Sequence, residues 1–161
     1  MNPPAPAADF ALRDSRGELV RLSQYRGRAV MLTFIYSHCP DVCPLIVSQL
    51  RNSLLKLGAQ SSRVQIVAVS VDPDRDTPKA VNAFLAARDM TGRMEYLIGS
   101  KGQLTPVWKA YGIEVEATPE REVGHTGLVY GITASGKRRG LYPANLQPSW
   151  IVHDVPILAA S

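Results

Sequence analysis

The sequence predicts an α/β domain in which a central mixed sheet is flanked by helices. Two nearly continuous apolar segments, residues 29–36 and 64–71, are typical of strands that are buried on both faces of a sheet. Apolar residues at helical spacing follow each of these segments, and such alternation favours a layered α/β architecture. Near the C-terminus, two strand-like segments flank a turn, which adds an antiparallel hairpin and makes the sheet mixed.

The N-terminal part of the chain is expected to contain a tether and a hairpin. Residues 1–8 are rich in proline and alanine and are predicted to form a flexible tether, so that the domain comprises residues 9–161. Residues 10–22 alternate apolar and polar positions around Asp-Ser-Arg-Gly, which predicts a small N-terminal hairpin before the first buried strand.

Helices are expected after each buried strand. The first has apolar residues at helical spacing and a glycine at its end: Ile46, Leu50, Leu54, Leu57 and Gly58. The second begins with Thr77 as its N-cap and Pro78 in its first position. A short strand at residues 96–98 and a third apolar stripe over residues 104–111 continue the alternation.

The C-terminal part is expected to form a hairpin and a last helix. Residues 127–133 and 138–142 flank Ala-Ser-Gly-Lys, a typical turn sequence. Residues 145–160 are predicted to be helical, with Pro148 near the start. Pro156 is expected to break or kink this helix, because proline lacks the N–H donor and collides with the preceding turn.

Composition and charge limit the possible functions. Of 161 residues, 45% are hydrophobic and 20% are charged, which is ordinary for one globular domain. The formal charge is only +4, and the basic clusters at residues 26–28 and 137–139 have no interleaved aromatic residues. They are interpreted as solvated turns, with a docking patch for an acidic partner as the less favoured alternative, and no nucleic acid partner is expected. No segment approaches the ~20 apolar residues of a membrane span.

The pair Cys39 and Cys43 carries most of the chemical information in the sequence. They are the only cysteines in the chain, and they follow the first buried strand. Pro44 is expected in the first turn of the next helix, so both sulfurs should lie near the positive end of the helix dipole, which favours thiolates. A dithiol between the first buried strand and the first long helix is the arrangement of thioredoxin-like folds, which we therefore predict.

The spacing of the cysteines leaves copper and thiol-disulfide chemistry open. Three residues separate them, whereas the usual thioredoxin motif has two. Structural zinc would need a second pair of cysteines. A peroxiredoxin-type peroxidase would have a threonine where Tyr36 stands. Two thiolates suit Cu(I), and an added imidazole also accommodates Cu(II).

Among the three histidines, His125 is favoured as a third ligand. It stands just before the strand expected at residues 128–132. In a thioredoxin-like sheet, the start of that strand lies beside the end of the strand that leads to the cysteines. His38 is expected to point away from the site, and His153 is expected to be structural.

An acidic segment follows the second buried strand at the same edge of the sheet. Asp76 and Thr77 are expected to cap the next helix. Asp72 is an accessory candidate, because a carboxylate at the strand end could either take part in capping or tune the site and contact a partner.

Three motifs in this order give the chain a resemblance to the Sco/SenC family from about Phe10 onward: Cys39-Pro-Asp-Val-Cys43, Asp72-Pro-Asp-Arg-Asp76-Thr-Pro and Gly-His125-Thr. The resemblance implies a thioredoxin-like fold and copper binding by the two cysteines and the histidine. It implies assembly of the dinuclear copper (CuA) centre of cytochrome c oxidase, with oxidase subunit II as partner. A further copper chaperone or a thiol-disulfide reductant is also expected as a partner. It further implies an envelope location, periplasmic or extracytoplasmic, with a membrane anchor in the full-length precursor.

Two functions of different classes follow from these residues. In a metallochaperone, Cys39, Cys43 and His125 hold copper and pass it to the oxidase by ligand exchange. In a thiol-disulfide oxidoreductase, Cys39 attacks and Cys43 resolves as a redox-active pair that keeps the oxidase's copper-ligand cysteines reduced, and His125 is dispensable. The two are compatible, since a dithiol binds copper and a disulfide bond releases it. A redox or copper sensor is a third alternative.

Overall fold

Strands and helices alternate along the chain, as the sequence predicts. The computed structural model describes residues 4–39, 42–118, 121–124 and 127–161. The α-helices in these ranges are α1 (Val42–Leu57), α2 (Pro78–Ala87), α3 (Lys101–Ala110) and α4 (Pro148–Ala159). The strands are β1 (Ala5–Pro6), β2 (Ala11–Asp14), β3 (Leu19–Arg21), β4 (Ala29–Ile35), β5 (Val64–Ser70), β6 (Met94–Ile98), β7 (Glu116–Thr118), β8 (Arg121–Gly124), β9 (Leu128–Ile132) and β10 (Lys137–Pro143).

The main sheet is mixed, with the order β1-β10-β9-β4-β5-β6-β2-β3. Strands β4, β5 and β6 are parallel, and β9 runs antiparallel to β4 on its other side. The carboxyl ends of β4, β5 and β6 therefore meet at the same edge of the sheet as the amino end of β9. Strands β7 and β8 form a separate antiparallel hairpin.

Strand β4 lies at the centre of the core and is buried along its whole length. Because side chains alternate between the faces of a strand, Met31 and Phe34 point to opposite layers. On one face, the Phe34 ring lies 5.6 Å from the ring of Tyr111, just after α3. On the other face, Gly131 pairs with Met31 and lies close to Leu158 of α4. Helices therefore cover both faces, and α1 and α4 pack against each other.

The helix boundaries follow local chemistry. The Thr77 hydroxyl accepts a hydrogen bond from the Ala80 N–H at 3.2 Å, which caps α2 as predicted. Pro44 lies in the first turn of α1, where its missing N–H has no helical partner to lose. The helix ends before Gly58, whose φ of 57° lies in the left-handed region that glycine tolerates.

Three features of the fold differ from the sequence expectation or extend it. Of the break or kink expected at Pro156, the break is wrong: α4 continues to Ala159, and Val155 and Leu158 stay buried in the core. The hairpin of β7 and β8 was not predicted from the sequence. Ala5 and Pro6 pair with the start of β10, although the division into a tether and a domain stays a prediction.

Candidate metal site

The two cysteines lie where β4 ends and α1 begins. Their arrangement comes from a turn after β4, in which the Cys39 N–H donates to the Tyr36 carbonyl at 3.2 Å. Cys43 lies in the first turn of α1, and its N–H donates to Cys39 Sγ at 3.4 Å. Both residues are thiols and both are buried: Cys39 is 8% exposed and Cys43 is 0% exposed. The strand end and the helix start thus bring the two sulfur-bearing residues together.

The protonation of Cys43 differs from the expectation of two thiolates. A hydrogen bond with Cys39 raises the pKa of the Cys43 thiol, and burial raises this pKa further. The backbone N–H of Tyr36 lowers it by less. Cys43 therefore keeps its proton at neutral pH, because its hydrogen bond with Cys39 and its burial both favour the neutral thiol.

Strand β9 brings a second chain segment to the cysteine edge. The Thr33 hydroxyl, near the end of β4, donates to the Leu128 carbonyl at 3.0 Å. The start of β9 thus lies beside the end of β4, as the sequence predicts. His125 itself lies outside the described residues, and its role as a ligand stays a prediction.

The other two histidines lie in different surroundings. His38 is exposed, and its Nδ1 lies 3.1 Å from the Ser37 hydroxyl. His153 lies on α4, where its exposed ring contacts Asp154 at 2.8 Å.

Asp72 lies just after β5 and is held by Arg75. The Arg75 Nε–H donates to Asp72 Oδ2 at 2.6 Å, and the Arg75 backbone N–H donates to Oδ1 at 3.3 Å. The guanidinium also lies 5.9 Å from the centroid of the Tyr36 ring, next to the cysteine turn. The accessory role of Asp72 stays a prediction, and its carboxylate is engaged by an arginine.

Asp76 has a role other than the helix cap that was expected of it. It does not cap α2, because the Thr77 side chain does so. Asp76 is 3% exposed, and its carboxylate accepts hydrogen bonds from three separate segments of the chain. The donors are the Ser37 N–H (2.9 Å), the Ser37 hydroxyl (2.6 Å), the Ser70 hydroxyl (2.6 Å) and the Tyr96 hydroxyl (2.7 Å). One feature of the sequence could have indicated this role: Ser37 and Ser70 are polar residues at or just after the ends of two buried strands, where a nearby carboxylate can accept their hydroxyl groups.

The donor set at this edge suits a soft metal ion. Two adjacent sulfurs favour Cu(I), whereas the carboxylates of Asp72 and Asp76 are occupied by protein donors. In the described parts of the chain, no group of three or more His, Cys, Asp and Glu side chains is arranged to hold a metal. His125 is outside those parts, so a site of two sulfurs and one imidazole is compatible with the residues present.

Comparison with known proteins places the chain in a family. Residues 2–159 match the SCO1/SenC family. The chain belongs to this family. This Sco/SenC protein is 33% identical over 135 residues to the mitochondrial SCO2 homolog of Bos taurus, a match that covers 80% of the chain and 50% of the bovine protein. The chain thus spans half the length of that relative.

Solved structures extend the comparison to the fold. The structure of Bradyrhizobium japonicum ScoI with copper bound matches this Sco/SenC protein with a TM-score of 0.85 at 26% identity, covering 96% of this chain and 99% of that chain. The apo Sco1 of Thermus thermophilus matches with a TM-score of 0.82 at 29% identity, covering 100% and 94%. The predicted thioredoxin-like fold is confirmed. Among the described helices, none is both long and apolar enough to cross a bilayer.

Proposed function

We propose that this protein binds copper and acts as a Sco-type assembly factor for the CuA centre of cytochrome c oxidase. The observation that carries the proposal is the buried thiol pair at the start of α1, in a chain of the SCO1/SenC family. Relatives from Bradyrhizobium japonicum and Arabidopsis thaliana, both 26% identical to this chain, are described with copper bound. The proposed place of action is the cell envelope, on the periplasmic or extracytoplasmic side.

Copper is the cargo in this proposal, and the proposed ligands are Cys39, Cys43 and His125. The sulfurs suit Cu(I), and the imidazole extends binding to Cu(II). Binding displaces the proton that Cys43 holds, because the thiolate is the ligand form. Transfer to oxidase subunit II is a ligand exchange, in which each bond from copper to this protein is replaced by a bond to a partner side chain. No electron transfer is needed.

Copper titration of the reduced protein tests the proposal. We expect one equivalent of Cu(I) to be taken from a competing chromogenic chelator, and we expect Cys39→Ser and Cys43→Ser to lose most of this affinity. His125→Ala should weaken Cu(II) binding, whereas the matched control His153→Ala should not, because that exposed ring contacts Asp154 on α4. Absence of stoichiometric binding, or equal Cu(II) affinity in both histidine variants, would contradict the proposal.

A second measurement distinguishes copper delivery from thiol reduction. The reduced protein is mixed with an oxidised peptide that carries the two copper-ligand cysteines of an oxidase subunit II, and disulfide exchange is followed. If exchange requires Cys39 and Cys43 but not His125, and copper is not bound, the oxidoreductase function replaces the one proposed here.

A further inference from the structure

A buried carboxylate joins the turn that follows β4 to the neighbouring strands β5 and β6. Asp76 is 3% exposed, and its carboxylate accepts hydrogen bonds from neutral donors in the turn after β4, in β5 and in β6. Burying a carboxylate is costly unless hydrogen bonds replace its water. Four hydrogen bonds at 2.6–2.9 Å replace the water around the carboxylate, and they hold the Asp76 side chain in one position at this edge of the sheet.

One oxygen of Asp76 holds the cysteine turn. Its Oδ1 accepts both the backbone N–H and the hydroxyl of Ser37, at 2.9 and 2.6 Å. Two bonds from one residue to one atom fix the orientation of that residue's backbone as well as its position. Ser37 stands two residues before Cys39, within the turn closed by the bond from the Cys39 N–H to the Tyr36 carbonyl. Asp76 therefore determines how the chain approaches Cys39.

The other oxygen of Asp76 is tied to the sheet. Its Oδ2 accepts the hydroxyl of Ser70, the last residue of β5, at 2.6 Å and the hydroxyl of Tyr96 in β6 at 2.7 Å. Ser70 is held in turn, because its carbonyl accepts the Trp108 indole N–H at 2.9 Å. The carboxylate thus transmits the rigidity of the sheet to the turn that carries Cys39.

We propose that Asp76 is a positioning residue for the thiol pair: it orders the turn through Ser37, so that Cys39 is held in place before copper arrives. The inference rests on the proposed copper-binding function and adds a residue to it. Asp76 acts through Ser37 and is not proposed as a copper ligand. The hydrogen-bonded partners that orient metal ligands typically change metal affinity by about 10–100-fold when they are removed.

Two variants separate positioning from stability. Asp76→Ala removes both acceptor oxygens and with them all four hydrogen bonds, including the two from Ser37. Tyr96→Phe is the matched control, because it removes one buried bond to Oδ2 and leaves both Ser37 bonds in place. Both variants should lower the unfolding midpoint, and Asp76→Ala alone should weaken Cu(I) binding, by about 10–100-fold.

A measurement on the copper-free protein tests the hydrogen bond between Asp76 and the Ser37 amide directly. In the copper-free protein, hydrogen exchange at the Ser37 amide should accelerate in Asp76→Ala, which removes the acceptor of that N–H, and stay as in the wild type in Tyr96→Phe. Ser37→Ala removes only the hydroxyl bond and should give a smaller loss of copper affinity. If Asp76→Ala does not fold, Ser37→Ala still tests the inference.

Clear outcomes would overturn the inference. If Asp76→Ala keeps wild-type copper affinity and wild-type exchange at Ser37, Asp76 is not a positioning residue. If Tyr96→Phe loses as much copper affinity as Asp76→Ala, the effect is one of general stability and the inference fails. If the wild-type protein does not bind copper, the proposed function fails, whereas the exchange measurement still decides whether Asp76 orders the turn.

Discussion

Gly131 provides a direct test of how closely α4 packs on the sheet. A Cβ atom at this position would lie 3.2 Å from Leu158 Cδ1, 3.2 Å from Tyr142 Cε2 and 3.3 Å from Gly140 Cα. The φ angle of Gly131 is not in the left-handed region, so alanine meets no backbone strain there. Gly131→Ala therefore changes the packing and little else.

The expected cost follows from two opposing terms. Adding a methyl group to a tightly packed core typically costs about 1–3 kcal/mol. Replacing glycine by alanine recovers about 0.4–1 kcal/mol, because the unfolded chain loses conformational freedom. We expect Gly131→Ala to lower the free energy of unfolding by about 1 kcal/mol, which corresponds to a fall in Tm of about 2–4 °C for a chain of this size.

Gly102 is the matched control for this substitution. It lies in α3, and its nearest neighbour to an added Cβ is Ser100 Oγ at 4.0 Å. No atom lies within 3.4 Å of the added methyl group, so Gly102→Ala should raise the free energy of unfolding by about 0.4–1 kcal/mol, because alanine restricts the unfolded chain. Urea unfolding and calorimetry of both variants and the wild type provide the comparison. The packing argument is refuted if Gly131→Ala is as stable as the wild type, or if both variants shift in the same direction.

Two further predictions concern a helix cap and the alkaline limit of stability. Thr77→Ala removes the acceptor of the Ala80 N–H and should cost about 1 kcal/mol in urea unfolding, and an unchanged midpoint would contradict the cap. The hydrogen bond with Cys39 and burial raise the pKa of Cys43 above its ordinary 9.0, and burial raises that of Tyr25 from 10.0 to about 12. The folded protein holds these protons more tightly than the unfolded chain, so their stabilisation is present below about pH 9 and is lost as the pH rises, by about 1.4 kcal/mol per pH unit for each group. Urea unfolding of the copper-free protein from pH 7 to 11 measures this decline. In Cys43→Ser, the loss of stability that begins near pH 9 should be absent, and only the later loss from Tyr25 should remain. A free energy of unfolding that does not change over this pH range would contradict both pKa shifts.

The elements that carry the thiol pair could be predicted because their signals are local. The apolar run of β4, the helical spacing after it and Pro44 each act within a few residues of the cysteines. The approach of β9 to β4 was predicted from the strand arrangement of thioredoxin-like folds, and the antiparallel pairing of the two strands confirms it. Local patterns were therefore sufficient for the elements around the thiol pair, whereas the position of β9 and the choice of His125 came from the likeness to thioredoxin-like folds, and the ligand roles stay predictions.

The roles of Asp76 and Pro156 depend on distant parts of the chain. Asp76 accepts hydrogen bonds from Ser37, which is 39 positions away, and from Tyr96, which is 20 positions away. Contacts between residues so far apart produce no helical or strand periodicity in the sequence. The residues around Asp76 resemble a helix cap, which Thr77 supplies instead. Pro156 is tolerated because neighbouring residues of α4 are buried in the core, and that packing maintains the helix past the missing donor.

The unequal exposure of the two cysteines determines an order of events. Cys39 is 8% exposed and Cys43 is 0% exposed, so a reagent that arrives from solvent has access to Cys39 before Cys43. In the copper-free protein, a thiol-alkylating reagent is therefore expected to modify Cys39 first and to reach Cys43 only when the start of α1 opens.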